Sequence, residues 1–232
     1  MSSENNNKKR NKDILRRSIQ VGLLMVITSV TLLLFSGNFK WIWAWVYIGI
    51  GVLILIVNSF MLPKEVMAER GKKKPDINKT DKLIISLNII PTIGLIVIAG
   101  LDNRFLWTKE VSLASHIIGI ILMFLGHFLF SWSMLANKYF STVVRIQYDR
   151  DHTVSGSGPY QHIRHPGYVG YIIFTIATPL ILGSFWALLP AALTSILLII
   201  RTYYEDKTLI KELDGYKRYT KRVKYRLVPG IW

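Results

Sequence analysis

The sequence predicts an all-α fold: a multi-span helical integral membrane protein of about six transmembrane helices, including a short C-terminal helical hairpin, followed by a cytoplasmic amphipathic helix. Three observations predict it. Of the 232 residues 51% are hydrophobic, and they gather in long runs almost free of charge. The Lys and Arg residues that set the formal net charge at +15 lie in blocks between those runs. The C-terminal segment changes character, to a basic stretch whose apolar positions recur every three to four residues.

The elements follow in order. Residues 1–17 open with MSSENNNKKRNKD, too polar to bury a core, and are expected to be a disordered basic tail. The run after it lacks a clear small-x-small cleavage site and precedes further apolar segments, so it reads as a retained first span, not a signal peptide. Runs at 19–36, 41–62, 83–101 and 112–136 can each cross a hydrocarbon core about 30 Å thick. Residues 18–136 are therefore expected to form four transmembrane helices. Trp41, Trp43, Trp45 and Tyr47 crowd the start of the second run in the pattern of an interfacial aromatic belt. Two shorter runs, 168–182 and 185–200, meet at LGS. At 1.5 Å per residue each reaches only roughly 22–24 Å, so they read as a tight hairpin whose second helix continues past Arg201. Beyond it Leu209, Leu213, Tyr216, Tyr219 and Val223 mark one face of an amphipathic helix with a break expected at Gly215, and VPGIW ends it.

Charge orients the spans. The N-terminal segment, the 63–82 loop, the 137–167 segment and the tail after Arg201 are basic, whereas the alternate connections hold only Lys40, then Arg104 and Lys109, and none at LGS. Both termini are thus expected on the cytoplasmic side. Basic blocks set between apolar runs suit anionic lipid headgroups rather than nucleic acid. The chain has no cysteine, which excludes disulfides, thiolate metal sites and Cys nucleophiles.

Three polar groups fall on that side: RIQYDRDHTVSGSGPY from Arg145, QHIRHPGYVG from Gln161, and RTYYEDK from Arg201. Taken singly each has an ordinary explanation. Arg164 and His165 can snorkel, Pro166 is a common first-turn residue, and Arg201 with Glu205 at i and i+4 can be a simple pair. SGSG lacks the strand–helix context of a dinucleotide loop. His162 and His165 have no acidic pair at ligand spacing, so no metal is expected. His116 and His127 on the fourth span read as packed histidines.

Together the pieces say more. Gly158-Pro159-Tyr160, then Arg164-His165-Pro166 with Tyr168 and Gly170, then Arg201 with Glu205, then Tyr216, Tyr219 and Val223, run in order through residues 137–232. This joint pattern resembles the isoprenylcysteine carboxyl methyltransferase family, within a wider group that includes phospholipid N-methyltransferases. Residues 137–232 would then be the methyltransferase core. The resemblance implies S-adenosylmethionine bound in a cytoplasmic cavity without a Rossmann domain. It places cofactor contacts on Arg145, His152, Thr153, Val154, Ser155, Tyr160, His165, Pro166, Gly167, Tyr168 and Glu205. Arg201 is the implied catalytic residue facing an acceptor carboxylate, with Glu205 beside it, and Asp206 extends the acidic run. The implied acceptor is lipid-like or prenylated, with membrane lipids around it, and lateral entry is expected between the two hairpin helices. Alternatives are N-methylation of an aminophospholipid, which needs a base, a sterol-reductase-like enzyme using NADPH, and a non-catalytic membrane protein.

Overall fold

The structure, a computed structural model, describes residues 2–74 and 77–232. Residues 75 and 76 of the 63–82 loop lie outside the described residues. Among the described residues eight α-helices follow in order: α1 Ser2–Ser36, α2 Ile42–Met61, α3 Lys64–Gly71, α4 Lys79–Phe105, α5 Leu113–Ala136, α6 Pro166–Leu182, α7 Leu188–Glu212 and α8 Tyr216–Arg222. There is no strand among the described residues. Among the described residues five helices are long and apolar enough to cross a membrane: α1 from Asn7, α2, α4, α5 and α7. The sixth expected crossing, α6, has 17 residues.

The hairpin forms where the short runs met. Pro166 opens α6, since its fixed φ suits a first turn and its missing N–H is not needed there. Gly183 closes it at φ +68°, a left-handed turn that favours glycine. α7 then runs on past Arg201 to Glu212, and Gly215 at φ +81° separates it from α8.

α5 and α6 approach closely because three glycines remove side chains from their contact. A Cβ on Gly126 would lie 2.8 Å from the Gly170 carbonyl oxygen, one on Gly170 2.6 Å from that of Gly126, and one on Gly119 2.7 Å from the Ile181 nitrogen. In lipid such close packing, rather than water exclusion, holds helices together. The last glycine of the R-H-P-x-Y-x-G pattern is therefore a packing residue. A second core joins Leu32 and Leu33 of α1, Ala44 of α2, Leu95, Ile96 and Ala99 of α4, and Leu182, Ala187 and Ala191 of the hairpin. The outward faces stay apolar, with Leu23, Val26, Ile27 and Val30 on α1 and Ile117, Ile118, Ile121 and Leu125 on α5 all exposed. A face of this kind belongs in hydrocarbon.

α1 begins at Ser2, inside the segment expected to be a disordered basic tail; near the end of that segment Asp13 is buried and Arg16 donates both to Asp13 Oδ1 (3.0 Å) and to the Gly71 carbonyl (3.1 Å) of α3. The tryptophan cluster is not one belt. Trp41 precedes α2 and enters the core, Trp43 stacks on His116 at 3.8 Å, and Trp45 is on the outer surface. Both membrane histidines are packed and bonded, His116 Nδ1 to the Ile181 carbonyl (2.9 Å) and His127 Nδ1 to that of Met123 (3.0 Å).

Candidate active site

One end of the bundle is tied together by Asp206. This fully buried carboxylate on α7 accepts from Arg164 Nε (2.8 Å) and Nη2 (2.9 Å), from Arg226 Nε (2.9 Å) and from the Tyr216 hydroxyl (3.0 Å), and His165 Nε2 lies 3.3 Å away. Burying such charges is costly unless they are paired and hydrogen-bonded, and here they are. The C-terminal segment completes the enclosure. The Arg164 and His165 backbone N–H groups donate to the carbonyls of Tyr225 and Arg226 (both 2.9 Å), and Arg164 Nη1 donates to that of Val223 (3.0 Å). The Tyr219 hydroxyl donates to the Tyr160 carbonyl (2.7 Å). The closing Y-x-x-Y-x-x-x-V pattern thus latches the C-terminus over the R-H-P segment, with Tyr216, Tyr219 and Val223 all buried.

Above this hub lies a cavity of about 480 Å³. Ten of the sequence-predicted site residues line it: Arg145, His152, Val154, Ser155, Tyr160, His165, Gly167, Tyr168, Arg201 and Glu205. Thr153 and Pro166 do not. Thr153 Oγ1 faces the Tyr139 hydroxyl (3.3 Å), and Pro166 is fully buried at the start of α6. The lining divides by element into a polar and an apolar arm. Asn137, Tyr139, His152, Ser155 and Tyr160, with Tyr216 and Tyr219, come from the loop after α5 and from the C-terminus. Leu24, Ile85, Ile89, Ile93 and Leu197 come from α1, α4 and α7. Leu24, Ile89 and Ile93 are also exposed on the outer surface, so the apolar arm reaches the apolar exterior beside α1 and α4.

The charged groups do not pair as their spacing suggested. Arg201 holds Asp81 of α4, with Nε at 2.7 Å from Oδ1, and Nη2 donates to the Thr142 carbonyl (3.0 Å); among the described residues no ion pair joins it to Glu205. Glu205 Oε2 instead accepts from the Tyr168 hydroxyl. The Arg201 guanidinium lies 5.4 Å from the Tyr168 ring centroid, which links the two. Arg145 is held by Glu69 Oε1 (3.0 Å) and Asp149 Oδ1 (3.0 Å). At Gly167 the Phe140 ring fills the space a side chain would take, 2.8 Å from where a Cβ would sit, while the backbone lines the cavity.

His152 sits with Nδ1 accepting from the Gln147 backbone N–H (3.3 Å); burial first, then Arg145 and Arg150, lower its pKa to about 4. It is neutral at physiological pH. Burial raises the Tyr160 hydroxyl above its ordinary value, so it remains a protonated hydrogen-bonding group. Sequence reasoning missed Asp81, Arg70, Asn137 and Tyr139. Asp81 and Arg70 lay in a loop read only for its charge. No three metal-ligating side chains cluster among the described residues.

Fold and site together define a class: a multi-span helical membrane protein with a cavity of one polar and one apolar arm at one end. Comparison with known proteins narrows it. Residues 118–211 match the Isoprenylcysteine carboxyl methyltransferase (ICMT) family, so the resemblance carried by the motifs is shown over that region. The protein-S-isoprenylcysteine O-methyltransferase of Schizosaccharomyces pombe is 30% identical over 107 residues, 43% of this chain and 43% of its own length. The Homo sapiens enzyme of the same name is 29% identical over 133 residues, 53% of this chain and 44% of its own. The aligned stretch is thus less than half of either relative. The solved structure of a eukaryotic intramembrane Ras methyltransferase, ICMT, superposes over 92% of this chain and 85% of that one, with a TM-score of 0.54 and 19% identity, a likeness of fold.

Proposed function

We propose that this protein is a membrane methyltransferase that uses S-adenosylmethionine to O-methylate the carboxylate of a lipid-like, isoprenylcysteine-type acceptor, with its cavity and both termini on the cytoplasmic side. The observation that carries this reading is the single two-armed cavity: a polar arm of loop and tyrosine groups meets a lipid-facing apolar arm at Tyr168, Arg201 and Glu205.

The residues present fit such a donor. Glu205 offers a carboxylate whose Oε2 is held by Tyr168 and whose other oxygen has no partner among the described residues. That oxygen can accept from an ammonium or a ribose hydroxyl. The rings of Tyr160 and Tyr168 supply faces for an adenine or a cation. When bound, the donor supplies an electrophilic methyl carbon on a sulfonium. An acceptor carboxylate is already ionised at neutral pH, so no general base is required. Transfer joins a carboxylate oxygen to the methyl carbon as the carbon–sulfur bond breaks, and an ester and a neutral thioether result. What the chain must do is align the reactants and exclude water. Arg201, fixed by Asp81 and the Thr142 carbonyl, holds its guanidinium in the cavity wall, with Nη1 without a partner among the described residues. The support for orientation is the basic character of the segments around the cavity.

Purified protein incubated with methyl-labelled donor and N-acetyl-S-farnesylcysteine in a membrane lipid extract should yield a base-labile labelled ester. Absence of any labelled lipid would remove the reading. In calorimetry, Glu205→Gln should weaken donor binding at least about tenfold, the loss of one charge-assisted hydrogen bond; unchanged affinity would take Glu205 out of the donor site.

A further inference from the structure

Among the arginines that line the cavity, Arg70, Arg145, Arg164 and Arg201, Arg70 is the exception. Arg145, Arg150, Lys72 and Lys74 surround Glu69, Arg201 holds Asp81, and Arg164 and Arg226 hold Asp206. Among the described residues no carboxylate or hydrogen-bond acceptor engages the Arg70 guanidinium. It nevertheless lines the cavity, 5.5 Å from the ring centroid of Phe130 and 5.3 Å from that of Phe140. Its place is built. Phe140 is seated in the space left by Gly167, and α3 is held against α1 because Gly71 has no side chain: a Cβ there would lie 2.0 Å from the Asp13 carbonyl oxygen. Arg17 and Arg201 add positive potential, and burial with these neighbours lowers its pKa to about 9, so it stays charged at neutral pH. An unpaired, partly buried cation fixed on an aromatic shelf is stabilised by an incoming anion. Arg201, by contrast, already has one.

We propose that Arg70 is the residue that receives the acceptor's carboxylate and makes the cavity prefer anionic to neutral acceptors. The inference rests on the methyltransferase reading and deepens it, since the family pattern points to Arg201 for this contact. It also assigns a means of product release. Esterification removes the negative charge that Arg70 holds, so the product is bound less well than the substrate at the same cavity.

The test is binding without turnover. N-acetyl-S-farnesylcysteine and its methyl ester are titrated separately into the purified protein. The acid should bind at least about tenfold more tightly than the ester, equivalent to one charge-assisted contact. In Arg70→Gln the acid should fall to the affinity of the ester while the ester is unchanged, and Arg70→Lys should restore part of the difference. Arg70→Met, which keeps an apolar stem against Phe130 and Phe140, serves as a second neutral variant, and donor binding reports that the fold is intact. A preference for the acid that survives in both neutral variants, or no preference in the wild type, would overturn the assignment. If the wild type transfers no methyl group yet its acid preference depends on Arg70, the anion site stands and the methyltransferase reading falls. If it transfers methyl groups and the neutral variants keep the preference, the Arg70 assignment alone falls.

Discussion

Two buried aspartates, Asp206 and Asp102, mark opposite ends of the hairpin, and they are satisfied in different ways. Asp102 of α4 is met by neutral donors from nearby turns: the Thr108 backbone N–H (2.7 Å), the Thr108 hydroxyl (2.8 Å) and the Ser184 hydroxyl. Ser184 in turn accepts from the Ala187 N–H (3.2 Å), so the cluster shapes the turn between α6 and α7. Asp206 is met by two guanidiniums brought from 42 residues before it and 20 after it. The first arrangement closes a loop with little charge. The second concentrates paired charge at one end of the bundle to unite distant segments. The difference separates the end that caps the bundle from the end where the cavity lies.

The comparison can be broken at either end. Asp206→Asn should have the largest effect, because it leaves buried Arg164 and half-buried Arg226 without a counter-charge. A loss of about 3–5 kcal/mol is expected, read as a large drop in thermal stability in detergent together with loss of donor binding. Asp102→Asn should cost about 1–3 kcal/mol, from disturbing buried hydrogen bonds between neutral donors and the carboxylate, while the proposed methyl transfer by the surviving folded protein is retained. If Asp102→Asn abolished transfer at full stability, the division between capping and cavity ends would be wrong. The last effect, confined to acid pH, is a pH dependence at His152. Its folded pKa of about 4 lies below the ordinary 6.5, so the unfolded chain binds the proton first as pH falls, and stability declines between about 6.5 and 4. A melting series across that window should show a shallower decline in His152→Gln than in the wild type.

Much of the fold was legible because its signals are local. Apolar run length marks the long helices, a charge-free LGS marks the hairpin turn, and Gly215 marks the break before α8. Ten of the twelve named site residues meet at one cavity, because ordered motifs on adjacent elements carry their geometry with them. What was not legible is pairing across the chain. Nothing periodic links Asp81 to Arg201, 120 residues apart, and the i, i+4 spacing of Arg201 and Glu205 suggested the wrong partner. Asp206 was visible only as an acidic neighbour of Glu205. One position along a helix turns the side chain by about 100°, so the two carboxylates had to face different surroundings, one toward the cavity and one toward the hub. Arg70 was hidden more completely, since a basic loop of a membrane protein is read for orientation and not for individual contacts.

The apolar arm that opens beside α1 and α4 through Leu24, Ile89 and Ile93 has a kinetic consequence. A guest arriving by that route diffuses in two dimensions, and its supply is set by its mole fraction among the host lipids, not by its molarity in water. Turnover should therefore slow on adding inert lipid at constant total volume, as it does for any catalyst fed from a surface.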